Sequence, residues 1–388
     1  MHHFIYPSKA TWISSGSRKT DGESLTEQNF GKDEILELRK EFFNLSFDYP
    51  TRVLVQFDIS EISKSIEDLR ETNEEIIPST DPTFGSKFYL RLYEAEGNKE
   101  LSSNYKLSAH PIIEQWTEGT GKFESSPQVK NGCSWNYRDF PLGGSGVDWT
   151  ISGSSYASGS DLIATQSFSS SKPDVEMDVT NIVQSWLTSS GAPVGTGMSG
   201  SSNNGFLVKF SGSQETDSET FGHLKFFSNN TNTIYSPKLE FRWDDHKPAT
   251  GSNTGNLLQL TSSGEADNYI YPIGLRESYK EDEKVKFRFG ARKRYIQKSF
   301  TTSVQRASGS YIPKGSGSYS IVDKATGETV VPFDDDYTKL SVDSTSNYFT
   351  QWLKGFEPSR AYKILIKVKN NDGQEQIFDD DFEFIIRR

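Results

Sequence analysis

The chain has one cysteine in 388 residues, Cys133, so no disulfide can form within it. A disulfide-stapled secreted fold is thereby excluded, and assembly in a reducing cytoplasm is the simpler expectation. No apolar run reaches the length of about 18 residues that a membrane-spanning helix needs, and no membrane partner is expected. Positive charge is short: 42 Lys and Arg face 53 Asp and Glu, for a net charge of −11 and a pI near 5.1. A nucleic-acid partner, which calls for a clustered basic face, is therefore not expected either. The one basic cluster, ARKRY at 291–295, follows EDEK at 281–284 and reads as a solvated strand end. The opening MHHFIYPSKATWISS has neither a basic n-region nor an apolar h-region, so no signal peptide is expected.

Catalytic spacing is equally scarce. The histidines (His2, His3, His110, His223, His246) are scattered, with no HExxH or other metal-ligand spacing. No Gly-x-Ser-x-Gly elbow and no phosphate-cradling loop occurs, and the GSGSYS at 315–320 opens a strand rather than a helix. No catalytic residue, cofactor or metal ligand set is expected.

What the chain does have is aromatic side chains, 13% of all residues with 26 Phe and 17 Tyr, and an apolar share of only 33%. This composition favours strands and leaves much of the chain as loop or surface. Strands show as clean alternation: Val53, Val55, Phe57 and Ile59 in RVLVQFDIS; Phe88, Leu90 and Leu92 in KFYLRLYEAE; Phe206, Val208 and Phe210 in NGFLVKF; Leu239, Phe241 and Trp243 in PKLEFRW. Residues 60–75 predict an exposed amphipathic helix between strands. Two Gly/Ser-dense stretches, 141–161 and 188–204, read as long loops unable to bury enough surface to order themselves, and so to be ordered by contact with another chain. DDHKPATGSNTGN (244–256) mixes charge, Pro and Gly without periodicity and marks a boundary. A second strand series follows: VKFRF, a hairpin in SYSIVDKATGETVVPF turning at Thr326-Gly327, YKILIKVK and FEFII.

Three short stretches break the alternation. DVTNIVQSWL (178–187) puts Ile182, Val183, Trp186 and Leu187 at helical spacing behind Thr180, a candidate cap. SAHPIIEQWTEG repeats the pattern with Ile112, Ile113 and Trp116, and SNYFTQWLKG with Tyr348, Phe349, Trp352 and Leu353. Each predicts a helical turn that plugs the open end of a β-sandwich with a buried tryptophan. Two groups of acids invite a chemical reading. Glu114, Glu118 and Asp139 lie near Trp116 and Trp135, a mixture that a glycosidase uses, although nothing singles out a buried acid. Asp334–Asp336 and Asp379–Asp381 lack the alternate spacing and Gly turn of a calcium loop and read as solvated turn acids.

Several of these stretches also carry resemblances. QNFG (28–31), RVLVQFDIS, FYLRLYEAE, IIEQWTEG, SWNYRD, DVTNIVQSWL, NNGFLVKF and FFSNNTNTIYSPKLEFRW occur in the order in which the DNRLRE family of β-sandwich domains has them, so most of residues 8–243 resembles that family. The resemblance implies a jelly-roll-like sandwich, commonly a non-catalytic module that binds carbohydrate or builds surface and phage structures. In KGFEPSRAYKILIKV, Phe356, Pro358 and Tyr362 stand where an immunoglobulin-like or fibronectin type III sandwich has its Leu-x-Pro-x-x-x-Tyr signature, which implies a tyrosine corner at Tyr362. The C-terminal block from KFRFGARKRY through PFDDDYTKLSVDSTSNYFTQWL resembles virion structural proteins of contractile-tailed phages of marine cyanobacteria.

The expectation is an all-β chain with short helical turns: a DNRLRE-like sandwich over 1–247, a linker over 248–265 and an Ig-like sandwich over 266–388. Trp116, Trp186, Trp352, Pro358 and Tyr362 are its structural residues. The resemblances imply a non-enzymatic virion protein of the tail, neck or baseplate, present in multiple copies of a symmetric assembly and contacting other virion proteins. The alternative is a carbohydrate-binding module or host-surface adhesin, with a host glycan as partner.

Overall fold

The computed structural model describes residues 1–41, 49–58, 86–96, 105–168, 174–189, 202–260, 268–295, 300, 302–304, 308–370 and 373–388. The helix expected over 60–75 lies outside them, as do Ile59 and most of the 188–204 loop. The chain is nearly all-β, with a single α-helix among the described residues. It divides into two units, Ile5–Phe241 and a second that joins Met1–Phe4 to Arg242–Arg388.

In the Ile5–Phe241 unit, one sheet orders the strands Ala164–Ser167, Lys106–Pro111, Phe206–Phe210, Thr51–Phe57 and Pro7–Ser14, neighbours running antiparallel. A second sheet includes Lys238–Arg242, Lys87–Leu92 and Val175–Asp178 in that order, and a smaller sheet holds Ile35–Lys40, Gly222–Phe227 and Glu94–Glu96. Alternation decides which side chains go in. Phe88, Leu90 and Leu92 are buried on one side of their strand, and Phe88 stacks on Phe241 with centroids 4.6 Å apart.

The five-stranded sheet departs from simple alternation because both of its faces are covered. Ile13, Leu54 and Leu207, on the side away from Val53 and Val208, form a second core with Ile112, Trp116, Cys133 and Trp149. These come from the long excursion between Pro111 and Ala164, which folds back over the sheet. Expectation and structure differ here: the Gly/Ser-dense stretch 141–161 is ordered by its own chain. Trp149 is buried and donates its indole N–H to Ser134 O at 2.9 Å, and the amide of Gly153 reaches Trp135 O at 2.7 Å. Two aromatic anchors, Trp149 and Tyr156, supply the apolar area that the composition as a whole lacks. Burying a large apolar side chain contributes about 1.5–3 kcal/mol.

Of the three expected helical turns, one forms. Thr180–Ser189 is an α-helix that buries Ile182, Val183, Trp186 and Leu187, with the Trp186 ring 4.6 Å from that of Phe206. Its start is not capped by Thr180. Asp178 accepts the Thr180 amide at 3.0 Å, an Asx-type turn, and the Thr180 hydroxyl accepts the amide of Phe88 at 3.0 Å on the neighbouring strand. The other two turns are corrected by sheet pairing. His110 and Pro111 continue a strand opposite Leu207 and Phe206, and the chain beyond is irregular. Asn347–Trp352 is a strand, its NYFTQW sequence following aromatic and β-branched preference over local spacing.

The second unit has two mixed sheets. One orders Leu258–Gln259, Ser310–Tyr311, Lys284–Lys293, Asn347–Trp352 and Ser341–Val342, with Asn268–Ile273 also on Lys284–Lys293. The other orders Ser278–Lys280, Glu383–Arg387, Ala361–Lys369, Gly317–Asp323 and Thr329–Val331, with Glu375–Phe378 also on Ala361–Lys369. Between them Tyr319 stacks on Phe349 at 3.7 Å, inside a core that includes Phe287, Phe289, Ile364, Ile366 and Phe384. Phe4 belongs to this core and meets Phe356 edge-on at 5.7 Å. Gly355, at φ +91°, lets the chain pass there, since a Cβ would lie 2.2 Å from Phe4 O. The hairpin turn sits at Gly327, φ +74°, with Asp323 accepting the amides of Ala325 and Thr326. Residues 248–260 pack onto this unit, where Leu260 is buried and Leu258–Gln259 pairs in parallel with Ser310–Tyr311.

Candidate functional site

The acids weighed as a hydrolytic pair sit on loops laid over the five-stranded sheet, and a buried asparagine organises those loops. Asn29 of QNFG donates its side-chain N–H groups to Glu118 O at 2.7 Å and Cys133 O at 2.8 Å, while its Oδ1 accepts the amides of Gly31 at 3.0 Å and Gly121 at 2.8 Å. The full capacity of the side-chain amide is engaged. Three glycines make the approach possible. A Cβ on Gly119 would lie 2.4 Å from Asn29 Oδ1, one on Gly132 would lie 2.4 Å from Gly119 Cα, and one on Gly31 would lie 2.1 Å from Glu118 O. Next to this hub Phe30 stacks on Trp12 at 3.8 Å, and the Trp12 indole donates to Asp33 at 2.9 Å. Burial pushes the Asp33 carboxyl up to about 6 against that hydrogen bond and the one from the Phe123 amide.

Glu118 is engaged on both oxygens. Oε1 accepts from the Ala10 amide at 3.1 Å and from Asn229 at 3.2 Å, and Oε2 accepts from Lys32 at 2.7 Å. Glu114 accepts the amide and hydroxyl of Thr150 at 3.1 and 2.8 Å. Burial pushes its carboxyl up, but hydrogen bonds from Ser155 and Thr150 outweigh that and hold it below the ordinary range. A general acid needs the opposite shift. Asp139 is half-buried on the Tyr137–Asp139 strand opposite Val147. Trp116 is buried, donates its indole N–H to Asn204 O at 2.7 Å and lies 5.4 Å from the Lys9 ammonium. Its ring packs inward and makes no platform. Trp135 is half-buried with the Arg52 guanidinium 4.9 Å above it.

A buried cluster of charge went unread in the sequence. Glu215 accepts from Arg52 Nε at 2.7 Å and from Lys209 Nζ at 2.6 Å, with all three side chains at most 11% exposed. Burial pushes the Glu215 carboxyl up, and the two cations outweigh it and bring it below the ordinary range. Beside them His110 is pushed down to about 4 by burial and by Lys209. Its Nδ1 lies 3.3 Å from Ala157 O, which can only accept, so Nε2 is bare and accepts the Ser108 hydroxyl at 3.0 Å. A serine hydroxyl on a neutral imidazole has the connectivity of a nucleophile and its base. Ser108 is 1% exposed, however, and no substrate reaches it. The four residues come from three strands and the turn at Gly212–Glu215, a convergence that no local spacing reveals.

Among the acids weighed for calcium, Asp334 accepts the amides of Asp336 and Tyr337 and closes its own turn. Asp379 pairs with Lys363. Among the described residues no group of three or more His, Cys, Asp or Glu is placed to hold a metal. The buried Cys133 thiol is pushed well up by burial. Of the structural residues, Trp186 is fully buried, while Trp352 is half-buried on the outer face of its sheet. Tyr362, four residues beyond Pro358, donates its hydroxyl to Glu357 O at 2.9 Å and meets Phe356 edge-on at 5.3 Å.

No protein-family model matches the chain, and no curated protein matches it. Among solved structures it is similar to the adhesin domain of Epf from Streptococcus pyogenes, at 8% identity over 99% of each chain and a TM-score of 0.15, a likeness too slight to carry an argument.

Proposed function

We propose that the chain is a non-catalytic structural protein of a contractile-tailed phage virion, in its tail, neck or baseplate, acting through protein–protein contacts in multiple copies. The virion assignment rests on the resemblance of the C-terminal block. The non-catalytic assignment rests on one observation: the side chains with the most chemical potential are engaged in holding loops and strands together. Glu118 ties three segments to one another, and Glu215 neutralises two buried cations. Sheets closed over by their own loops suit a part that must keep its shape while neighbours are added. Mass spectrometry of purified particles tests the reading. The expected result is this chain at a copy number set by the symmetry of the particle; its absence from intact particles, or glycan hydrolysis by the pure protein, overturns it.

A further inference from the structure

Charge is segregated along the second unit. Residues 284–322 carry nine Lys and Arg and no Asp or Glu, whereas residues 370–386 carry six Asp and Glu and no Lys or Arg. Within the basic stretch, Lys286 and Arg288 are already closed on Asp343. Lys293 and Arg294, where the strand Lys284–Lys293 ends, are exposed and enter no ion pair among the described residues. Apolar side chains stand beside them in solvent: Tyr295 is 75% exposed, Val304 86%, and Phe300 fully. Large apolar side chains so exposed in one short segment mark a contact surface.

The acidic stretch builds the other sheet of the same unit. Along Ala361–Lys369, Tyr362, Ile364 and Ile366 point into the core, so Ala361, Lys363, Leu365 and Lys367 face outward. Register sets Ile385 opposite Ala361, Glu383 opposite Lys363 and Ile377 opposite Lys367, all on that outer face. Ile377 is 53% exposed and Ile385 41%. Most charges here are matched: Lys367 binds Glu375 at 3.4 Å, Lys324 binds Glu383 at 2.5 Å, and Lys369 stands opposite Glu375. The turn Asp379–Asp381 is the exception, with three carboxylates to one cation. Lys363 is bound by Asp379 and lies 3.9 Å from Asp381, and Asp380 is exposed with no ion pair among the described residues. One surface is therefore basic with apolar side chains, and the other is apolar with an acidic surplus.

We propose that a second copy of this chain joins the two surfaces. Lys293 and Arg294 of one copy meet the Asp379–Asp381 turn of the next, and Tyr295, Phe300 and Val304 cover Ile377 and Ile385. A single copy cannot make this contact with itself. The strands on either side of the basic segment, Lys284–Lys293 and Ser310–Tyr311, belong to one sheet, the acidic face is the outer face of the other sheet, and the core lies between. Charge complementarity favours this docking and sets its orientation. Because the two surfaces differ, the contact is heterologous: each added copy offers a fresh surface of each kind, which extends a chain or closes a ring. The partner named here goes beyond the virion reading and does not depend on which particle holds the protein.

Sedimentation velocity of the full chain, with circular dichroism to verify each variant's fold, tests the contact. The wild type should associate as its concentration rises, and more weakly as salt rises. Arg294→Glu with Phe300→Ser removes one surface, and Asp380→Lys with Ile377→Ser removes the other. Either variant alone should associate about tenfold more weakly than the wild type, or less still. Mixed in equal amounts they should form a dimer and stop there, because one intact surface of each kind remains. A wild type that stays monomeric up to about 1 mM, variants that associate as the wild type does, or a mixture that forms no dimer overturns the proposal. So does binding of the wild type to anionic vesicles without self-association, which would make a membrane the partner of the basic segment. A chain that is monomeric when pure but present in purified particles would sink this contact and leave the virion reading standing.

Discussion

The side-chain amide of Asn29 donates to the backbone carbonyl of Cys133 at 2.8 Å, joining positions 104 residues apart. The same side chain holds Glu118, Gly31 and Gly121, so three loops depend on one residue. Asn29→Ala leaves two carbonyls and two amides without partners, and should cost about 3 kcal/mol or more, given roughly 1–3 kcal/mol for each unsatisfied buried group. Asn29→Asp should be no better, because a carboxylate cannot donate to either carbonyl. Urea unfolding checks both; a loss under about 1 kcal/mol would show that water replaces the hub.

The charged trio of Glu215, Arg52 and Lys209 makes a contrast. Glu215→Gln leaves Arg52 and Lys209 buried without a counter-charge, and breaking a buried pair in this way costs about 3–5 kcal/mol. The Lys87–Asp178 pair, with 45% and 44% of its side chains exposed, is a control. Lys87→Met should cost at most about 1 kcal/mol. Equal losses in the two variants, read from denaturant midpoints, would mean that solvent reaches Glu215.

Acid should destabilise the chain through two histidines. His3, by burial and by Lys354, and His110, by burial and by Lys209, are each brought from 6.5 to about 4. Both are neutral when folded, and protonation favours unfolding. Their contribution is complete above pH 6.5 and is lost as pH falls toward 4. Asp33 acts the other way: raised from 3.8 to about 6, it adds stability as pH falls through 6. Two groups against one leave a net loss. His110→Gln, which keeps a donor for Ala157 and an acceptor for Ser108, should flatten the dependence of Tm on pH between 6.5 and 4. An unaltered slope would assign the acid loss to other groups.

Strands were legible in the sequence because inward and outward positions alternate at Phe88–Leu92 and at Val285–Ala291 whatever the tertiary partner. The Thr180–Ser189 helix was legible for the same kind of reason, four apolar residues on one stripe. Spacing misled at Tyr348, Phe349 and Trp352, where pairing with Lys284–Phe289 overrides it. What faces the second side of the five-stranded sheet was hidden. Trp149 and Tyr156 stand among glycines and serines, and their role appears only once Leu54 and Leu207 are adjacent. The pairing of Arg292 with Tyr269, 4.6 Å from the ring centre, was hidden likewise, since Arg292 reads as a strand end until register sets the two opposite each other. QNFG could be seen as a landmark, but the carbonyls that Asn29 serves belong to distant loops.

The placement of Met1–Phe4 makes the Ile5–Phe241 unit an insertion in the sequence of the other. The Gln351 side chain donates to His2 O at 2.6 Å across 349 positions, and Phe4 packs on Phe356. Loop-closure entropy grows only with the logarithm of loop length, each doubling costing about 0.6 kcal/mol, so closing so long a loop costs little more than closing one half its length. Cleavage of the backbone after Phe4 would therefore let a four-residue segment leave the core around Phe356.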